Sequence, residues 1–270
     1  EVGADGSCYL TLGPLTFFDG ALYGTCRAGG DPALPSSQRE GLVFRLELDG
    51  TLTRLHTFTG GTAGRTPEAG LTVGADGRLY GTTLYGGAYD AGTIFSLDPA
   101  SGVVELLHHF NRPVDGSGPT GELALGPDGA LYGAATFGDN AFVGCGTVFR
   151  FDPAAAGDRL TVLHAFSCAR GETKHPTGGM LVHEGFLYGT TYGETIDWRA
   201  GDGAVFRIEL ASGELEILRS HSAEKALDGP LVLAPDGFIY GQGSSGGSSA
   251  VDVGEIFRVD PASGAVETVH

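Results

Sequence analysis

The stretch Leu79-Tyr80-Gly81-Thr82-Thr83 decides the fold, because its first three residues return along the whole chain. The other copies are Leu22-Tyr23-Gly24, Leu131-Tyr132-Gly133, Leu187-Tyr188-Gly189 and Ile239-Tyr240-Gly241. Successive tyrosines are 52 to 57 residues apart, a spacing typical of proteins in which each repeat forms one small sheet. The sequence therefore predicts five repeated units in a single closed domain.

The repeat around Tyr80 predicts four short antiparallel strands, which we name A to D in chain order. Strands A and B meet at Asp76-Gly77, which is a strong hairpin signal. Strand C ends at a turn over 98–102, and strand D returns from 103 to 110. Radial stacking buries both faces of such sheets and leaves short edges. We therefore expect an all-β fold, a five-bladed β-propeller with four antiparallel strands per blade.

The same pattern places the blades along the chain. Each copy has an aliphatic residue followed by Phe in strand C, as in Ile94-Phe95. The predicted single domain covers residues 1–270, and residues 1–13 are expected to form an N-terminal segment at the seam between the last and first blades. The predicted blades cover about 14–58, 70–110, 122–166, 179–221 and 230–270.

The repeat resembles the GloVer-type (Gloeobacter/Verrucomicrobia) tandem repeat of secreted bacterial proteins. That pattern joins Leu-Tyr-Gly-Thr-Thr, a Gly-Gly pair, Gly-Thr-Val-Phe and a Leu-x-x-Phe ending. The second copy matches it at 79–83, 86–87, 92–95 and 107–110, and part of the match persists over 13–270. The fifth copy departs most, because Gln242-Gly243 replaces the two threonines. The resemblance implies a propeller of secreted or surface-anchored type and no particular activity.

The composition and the first residues of the chain limit the class of binding partner and the cellular compartment that we expect. With 16 Lys plus Arg and a formal net charge of −17, the chain lacks the clustered positive charge that nucleic acid requires. It has no run of 18 apolar residues, so we expect no transmembrane segment. Numbering begins at Glu1 without Met or an apolar leader. We therefore expect a periplasmic or extracellular protein in its mature form, after signal-peptide removal.

The four cysteines are expected to form two disulfides, as an even number commonly does in a secreted chain. If Phe149 lies opposite His164 in the hairpin of strands C and D, the cysteines at 145 and 168 also lie opposite each other, at bonding distance. The other two then pair by elimination. A metal site built from all four is the less favoured alternative. The predicted pairs are Cys145–Cys168 and Cys8–Cys26.

Two repeated side chains are interpreted as structural. Histidine recurs in strand D, and a ring of imidazoles raises a metal hypothesis. Strand D is the outermost strand, however, so these positions lie too far apart to share one ion, and we predict partly exposed edge residues and no metal site. The repeated tyrosines are expected to be core residues whose hydroxyls each find one partner. The histidines are His56, His108, His164 and His270, with Arg219 in the fourth copy.

Binding is predicted where the repeats differ. The B–C and D–A loops emerge on one face of a propeller, and loops on a rigid scaffold commonly carry binding groups. One B–C loop holds the only tryptophan, between a carboxylate and a guanidinium, a set that can stack on a sugar ring or anchor a protein. The candidate binding residues are Trp198, Asp197 and Arg199, extended by Tyr89, Asp90, Phe142 and Asp139 on the loops of blades 2 and 3.

These observations favour a non-catalytic binding or scaffold propeller. It would present the loop face to a protein partner or a glycan, either alone or as an extrinsic subunit of a cell-envelope complex. A five-site lectin ranks last, because such a protein needs near-identical loops and the loops of this chain differ in length and chemistry. The acidic, glycine-rich segment 197–203 offers oxygen ligands for Ca²⁺, although it lacks an ordered ligand spacing. The cofactor content is otherwise left open.

The alternative is a carbohydrate-active enzyme, a glycan hydrolase or lyase with acidic residues at the channel mouth. Hydrolysis requires two carboxylates about 5–9.5 Å apart. No sequence spacing singles out such a pair, so no catalytic residue is assigned. The available loop carboxylates are Asp139, Asp197, Asp202 and Asp252.

Overall fold

The computed structural model describes residues 13–35, 38–138, 145–166, 175–192, 203–220, 227, 229–243 and 254–270. Within these ranges the chain is all-β, apart from α1 (Arg112–Asp115) and a 3-10 turn at Gly61–Ala63. Its strands form five four-stranded antiparallel sheets, and the strands of each sheet follow chain order. We call these sheets blades 1 to 5.

The strand bounds are as follows. Blade 1 contains β1 (Thr16–Phe18), β2 (Ala21–Cys26), β3 (Leu42–Glu47) and β4 (Leu52–Thr57). Blade 2 contains β5 (Thr72–Val73), β6 (Leu79–Thr83), β7 (Thr93–Leu97) and β8 (Val104–His109). Blade 3 contains β9 (Ala124–Leu125), β10 (Leu131–Ala135), β11 (Thr147–Phe151) and β12 (Leu160–Ala165). Blade 4 contains β13 (Pro176–His183), β14 (Phe186–Thr191), β15 (Ala204–Glu209) and β16 (Leu215–Ser220). Blade 5 contains β17 (Val232–Leu233), β18 (Ile239–Gly243), β19 (Glu255–Val259) and β20 (Val266–Thr268).

The sheets are arranged around an axis with their first strands innermost. Strand β1 contacts β5, β5 contacts β9, and β9 contacts β13. The first strand of a blade thus lies beside the first strand of the next blade, whereas the fourth strand lies on the outside. This arrangement confirms the predicted five-bladed propeller.

Hydrophobic clusters join neighbouring blades. Between blades 2 and 3, Tyr80 and Ile94 pack with Leu123, Leu131 and Phe149. Equivalent residues form the clusters between blades 1 and 2, 3 and 4, and 4 and 5. Each blade thus has a forward face, with the repeated Tyr and the aliphatic residue before Phe, and a rear face, with the repeated Leu and the Phe. The burial of apolar area at these interfaces is the main term that holds the blades together.

The glycine of each Leu-Tyr-Gly phrase is required by packing. A Cβ atom on Gly81 would lie 2.6 Å from the Phe95 Cζ atom, and the other four copies have the same contact at 2.3–2.7 Å. Strand B therefore lies under the ring of the strand C phenylalanine, at a distance that only glycine permits. This close approach of the backbone to the phenylalanine ring recurs at all five copies.

The tyrosine of the phrase is tied to the turn before it. Tyr80 is 2% exposed, and its hydroxyl donates to Asp76 Oδ2 at 2.8 Å. Tyr132 and Tyr240 make the same bond to Asp128 and Asp236, at 3.1 and 2.9 Å. The turn aspartate also accepts a backbone N–H two residues later, as in an Asx turn. One side chain thus closes the A–B hairpin and satisfies the phenol.

The register of strands C and D differs from the assumption used for the cysteines. Val148 lies opposite His164, and Phe149 lies opposite Val162, because a β-bulge adds Leu163 to strand D. Blades 1, 2 and 4 have a register shift at the same place. The assumed pairing of Phe149 with His164 is therefore wrong by one residue, since a bulge places two residues opposite one.

The two predicted disulfides each have one cysteine outside the described residues. Those cysteines are Cys8 and Cys168. Cys26 and Cys145 are buried, and among the described residues no cysteine is free. The pairings Cys8–Cys26 and Cys145–Cys168 stay predictions.

Candidate functional site

Among the loops of the loop face, the B–C loop of blade 2 lies wholly within the described residues. It comprises residues 84–92 and joins β6 to β7. Three glycines and Asp90 in this loop have positive φ, with Asp90 at 51°, a region that glycine and Asx residues tolerate best. The loop is joined to the D–A loop of blade 1 by two backbone bonds between Arg65 and Tyr85, at 2.9 and 3.2 Å. These two hydrogen bonds fix the backbone path of the B–C loop of blade 2.

Asp90 organises this loop from within. Its Oδ1 atom accepts the Gly86 N–H at 2.9 Å, and both carboxylate oxygens lie 3.3 Å from Arg65 Nη2. The Arg65 guanidinium also lies over the Tyr85 ring, 4.7 Å from its centroid, within the range of a cation–π interaction. Arg112 donates to the Asp90 carbonyl at 3.1 Å. The structure thus gives Asp90 a positioning role in a charged, hydrogen-bonded loop.

Tyr89 lies beside Asp90 and points outward. It is 57% exposed, although aromatic side chains are usually buried in a soluble domain. Its neighbour in sequence is held by two arginines, so the ring is presented by an ordered backbone. An exposed ring with guanidinium groups nearby can stack on a sugar or enter an apolar pocket of a protein.

The other predicted binding residues lie outside the described residues. Their assignment to one site with Tyr89 and Asp90 stays a prediction. The same holds for all four carboxylates proposed for the channel mouth. These residues are Asp139, Phe142, Asp197, Trp198 and Arg199, together with Asp202 and Asp252.

The repeated histidines of strand D meet local partners. His108 Nε2 lies 2.8 Å from Asp115 Oδ2, and its ring contacts Phe110 edge-on at 5.0 Å. His56 packs against Phe58 at 4.8 Å, and burial lowers the pKa of His56. These two side chains are partly buried, since they fill the outer end of a blade interface, while His270 is exposed.

One further candidate, Glu122, was missed by sequence reasoning. It lies at the entry to β9, where the other copies have Pro14, Gly70, Gly179 and Pro230. A Cβ atom on Gly179 would lie 3.8 Å from Glu122 Cβ and 3.7 Å from Pro230 Cβ, so these positions from three blades gather near the axis. A charge at an otherwise uncharged repeat position is the signal that could have identified it.

The environment of Glu122 is unusual for a carboxylate. Within the described residues it has no hydrogen-bond or ion-pair partner. Burial raises the pKa of Glu122 to about 7, because desolvation disfavours the charged form. The side chain can therefore hold or release a proton near neutral pH.

Comparison with known families decides the classification. The model of the Gloeobacter/Verrucomicrobia repeat matches residues 9–198. The chain belongs to this repeat family. The resemblance predicted from the Leu-Tyr-Gly repeats is therefore confirmed, and the match covers most of the chain. A search of curated proteins finds no significant match.

Solved structures show the same architecture at low sequence identity. A chain of the nidogen/laminin complex has a TM-score of 0.53 and 14% identity, over 85% of this chain and 74% of that one. TolB from Acinetobacter baumannii has a TM-score of 0.53 and 14% identity, over 93% of this chain and 53% of TolB. A putative 6-phosphogluconolactonase from Bacteroides uniformis has a TM-score of 0.56 and 17% identity, over 95% and 68%. At these identities the likeness concerns the fold alone.

The neighbours include binding proteins and enzymes, so the fold does not select an activity. This chain spans about half the length of TolB. In the part of the chain that the structure describes, no helix has the length and apolar character needed to cross a membrane.

Proposed function

We propose that this chain is a secreted binding propeller, in which the loop face carries the binding site and catalysis is absent. The observation that carries the proposal is the exposed Tyr89 ring on a loop fixed by Asp90, Arg65 and Arg112. A preordered aromatic side chain loses little conformational entropy when a partner binds. The proposed partner is a protein or a glycan of the cell envelope, and the chain can serve as an extrinsic subunit there.

The net charge of −17 supports a partner other than nucleic acid, since phosphate backbones are bound by clustered Lys and Arg. The proposed compartment is the periplasm or the cell exterior. Two disulfides are part of this proposal. Mass measurement of the purified chain with and without reductant tests them, and four free thiols would remove the disulfide assignment.

Binding can be tested with an immobilised panel of envelope glycans and with a detergent-solubilised envelope protein fraction. Tyr89→Ala is expected to weaken binding to the recognised probe by about tenfold or more, as loss of an aromatic hot spot does. Val103→Ala is a matched control, because Val103 is also 57% exposed but lies at the C–D turn on the opposite face. Equal binding by both variants would contradict a site at this loop.

A carbohydrate-active enzyme is the second candidate, and Glu122 is the observation that favours it. A carboxylate with a pKa of about 7 is suited to donate a proton at neutral pH. Turnover on the same glycan panel, lost in Glu122→Gln and retained in Tyr89→Ala, would support the enzyme. Absence of turnover across the panel would leave the binding proposal as the better account.

A further inference from the structure

The Arg112 side chain contacts the B–C loop of blade 2 without meeting a carboxylate. Most described arginines form an ion pair, as Arg65 does with Asp90. Arg112 instead donates from Nη2 to the Asp90 carbonyl at 3.1 Å. Its buried Nε atom has no hydrogen-bond partner within the described residues. The guanidinium of Arg112 therefore keeps a positive charge that no described carboxylate neutralises.

The carboxylates closest to Arg112 in the fold are engaged by other groups. Asp115 lies in the same helical turn, α1, but its Oδ2 atom lies 2.8 Å from His108 Nε2 and its Oδ1 atom accepts the Asn111 N–H at 2.6 Å. Asp90 directs both carboxylate oxygens to Arg65, at 3.3 Å. Strong charge-assisted bonds measure about 2.7–2.9 Å, so this pair is a loose one. Two guanidinium groups thus share one carboxylate at the loop.

The next blade has the same backbone arrangement without the charge. The bridge between Arg65 and Tyr85 recurs one blade later as a bridge between Ser117 and Phe137. Ser117 is buried and uncharged at the place that Arg65 occupies. The fold of these loops therefore does not require a guanidinium, and the positive charge is a property of the blade 2 loop.

The exposed ring of Tyr89 adjoins both guanidinium groups. Tyr89 is 57% exposed, and its neighbour Asp90 is the residue to which Arg65 and Arg112 both bind. Adjacent Cα atoms lie about 3.8 Å apart, so the ring and the two arginines belong to one small area of the loop face. We call Arg65, Tyr89, Asp90 and Arg112 the Tyr89 surface.

We propose that the Tyr89 surface binds a carboxylated sugar residue of an acidic oligosaccharide, with Arg112 as the carboxylate-binding group. This inference rests on the proposed function, because it names the ligand class of the same site. The planar N–H donors of a guanidinium match the two oxygens of a carboxylate. The aromatic face of Tyr89 offers a platform on which the sugar ring stacks.

The charge of the chain supports a ligand with one recognised carboxylate. Polyanions such as nucleic acid are bound by clustered Lys and Arg, and this chain has a net charge of −17. One unneutralised guanidinium is sufficient for one carboxylate. The polar surroundings of Tyr89, which are Asp90 and the two arginines, suit a hydroxylated ring better than an apolar anchor of a protein.

Matched acidic and neutral sugars test the proposal with the full chain. The probes are oligomers of galacturonic, glucuronic and mannuronic acid, each beside its methyl ester, which keeps the ring and removes the charge. We expect calorimetry to show binding of at least one acid, with its ester weaker by at least about tenfold. Arg112→Gln should bind that acid as weakly as the ester. Arg112→Lys should be intermediate, since it keeps the charge and loses the planar donor pair.

Arg159→Gln is the matched control. Arg159 also donates to a backbone carbonyl, that of Ala155 at 3.2 Å, but it lies at the C–D turn of blade 3 on the opposite face. Its loss should leave the affinity for the acid and the ratio of acid to ester unchanged. Unchanged circular dichroism spectra would show that the variants remain folded.

The outcomes separate this inference from the proposed function. No binding of any acid, equal binding of acid and ester, or an unchanged ratio in Arg112→Gln overturns the carboxylate site. Tighter binding of an acidic peptide, rich in Asp and Glu, than of every acidic sugar overturns the sugar assignment. A neutral glycan or envelope protein whose binding falls in Tyr89→Ala and not in Arg112→Gln keeps the loop-face site and removes this inference alone. Binding that survives Tyr89→Ala contradicts the proposed site itself.

Discussion

Tyr80 and Tyr240 occupy the same position in their repeats, but their surroundings differ. Tyr80 is 2% exposed in the interface between blades 2 and 3, whereas Tyr240 is half-buried on the last blade. Both donate to the aspartate of the preceding turn. The repeat therefore determines the fold of each blade, whereas the neighbouring blade determines how far the tyrosine is buried.

The largest expected effect comes from removing an internal forward-face side chain. Ile94 is fully buried, so Ile94→Ala should lower the free energy of unfolding by about 3 kcal/mol. Ile256→Ala removes the same atoms from an exposed site and should cost under about 1 kcal/mol. Urea denaturation at dilute protein measures both. Equal losses of stability would show that Ile256 is as well packed as Ile94 and would contradict the difference between the two positions.

The next effect concerns the glycine of the phrase. Gly81→Ala would place a methyl group 2.6 Å from the Phe95 ring, and relief of that clash should cost about 2–3 kcal/mol. Gly157→Ala is the matched control, because no atom lies within 4 Å of its added Cβ. Thermal unfolding should show a lower midpoint for the first variant and no loss for the second.

Glu122 predicts a pH-dependent effect. Its folded-state pKa of about 7 exceeds the ordinary glutamate value of about 4.3, so the unfolded chain releases the proton first and stability falls as pH rises between these values. Glu122→Gln removes the ionised state and should stabilise the protein by about 2 kcal/mol at pH 8. Near pH 4.5 the gain should shrink below about 0.5 kcal/mol. An equal gain at both pH values would show that the carboxylate is not desolvated.

The smallest expected effect concerns the phenol group. Tyr80→Phe removes a buried hydrogen bond to Asp76 and should cost about 1 kcal/mol. Tyr240→Phe removes the same bond where water can replace it, so its cost should be about half or less. Chemical denaturation of the two variants side by side measures the difference.

The features predicted from sequence are those that recur five times or depend on adjacent residues. The Asp-Gly turns and the burial of the internal tyrosines are local patterns of this kind. The bulge at Leu163 shifts pairing by one residue, and a repeat pattern does not reveal such a shift. Glu122 acquires its environment only when strand A ends from several blades meet near the axis. The positioning role of Asp90 depends on Arg65 from the preceding blade.

Equivalent Leu-Tyr-Gly phrases differ in burial because the blades beside them differ. Hydroxyl-radical footprinting with mass spectrometry, at a dilution where the chain sediments as a monomer, measures this for all five tyrosines at once. We predict that Tyr240 is modified several-fold faster than Tyr23, Tyr80, Tyr132 and Tyr188, which are at most 4% exposed. Equal modification of the five tyrosines would contradict the account.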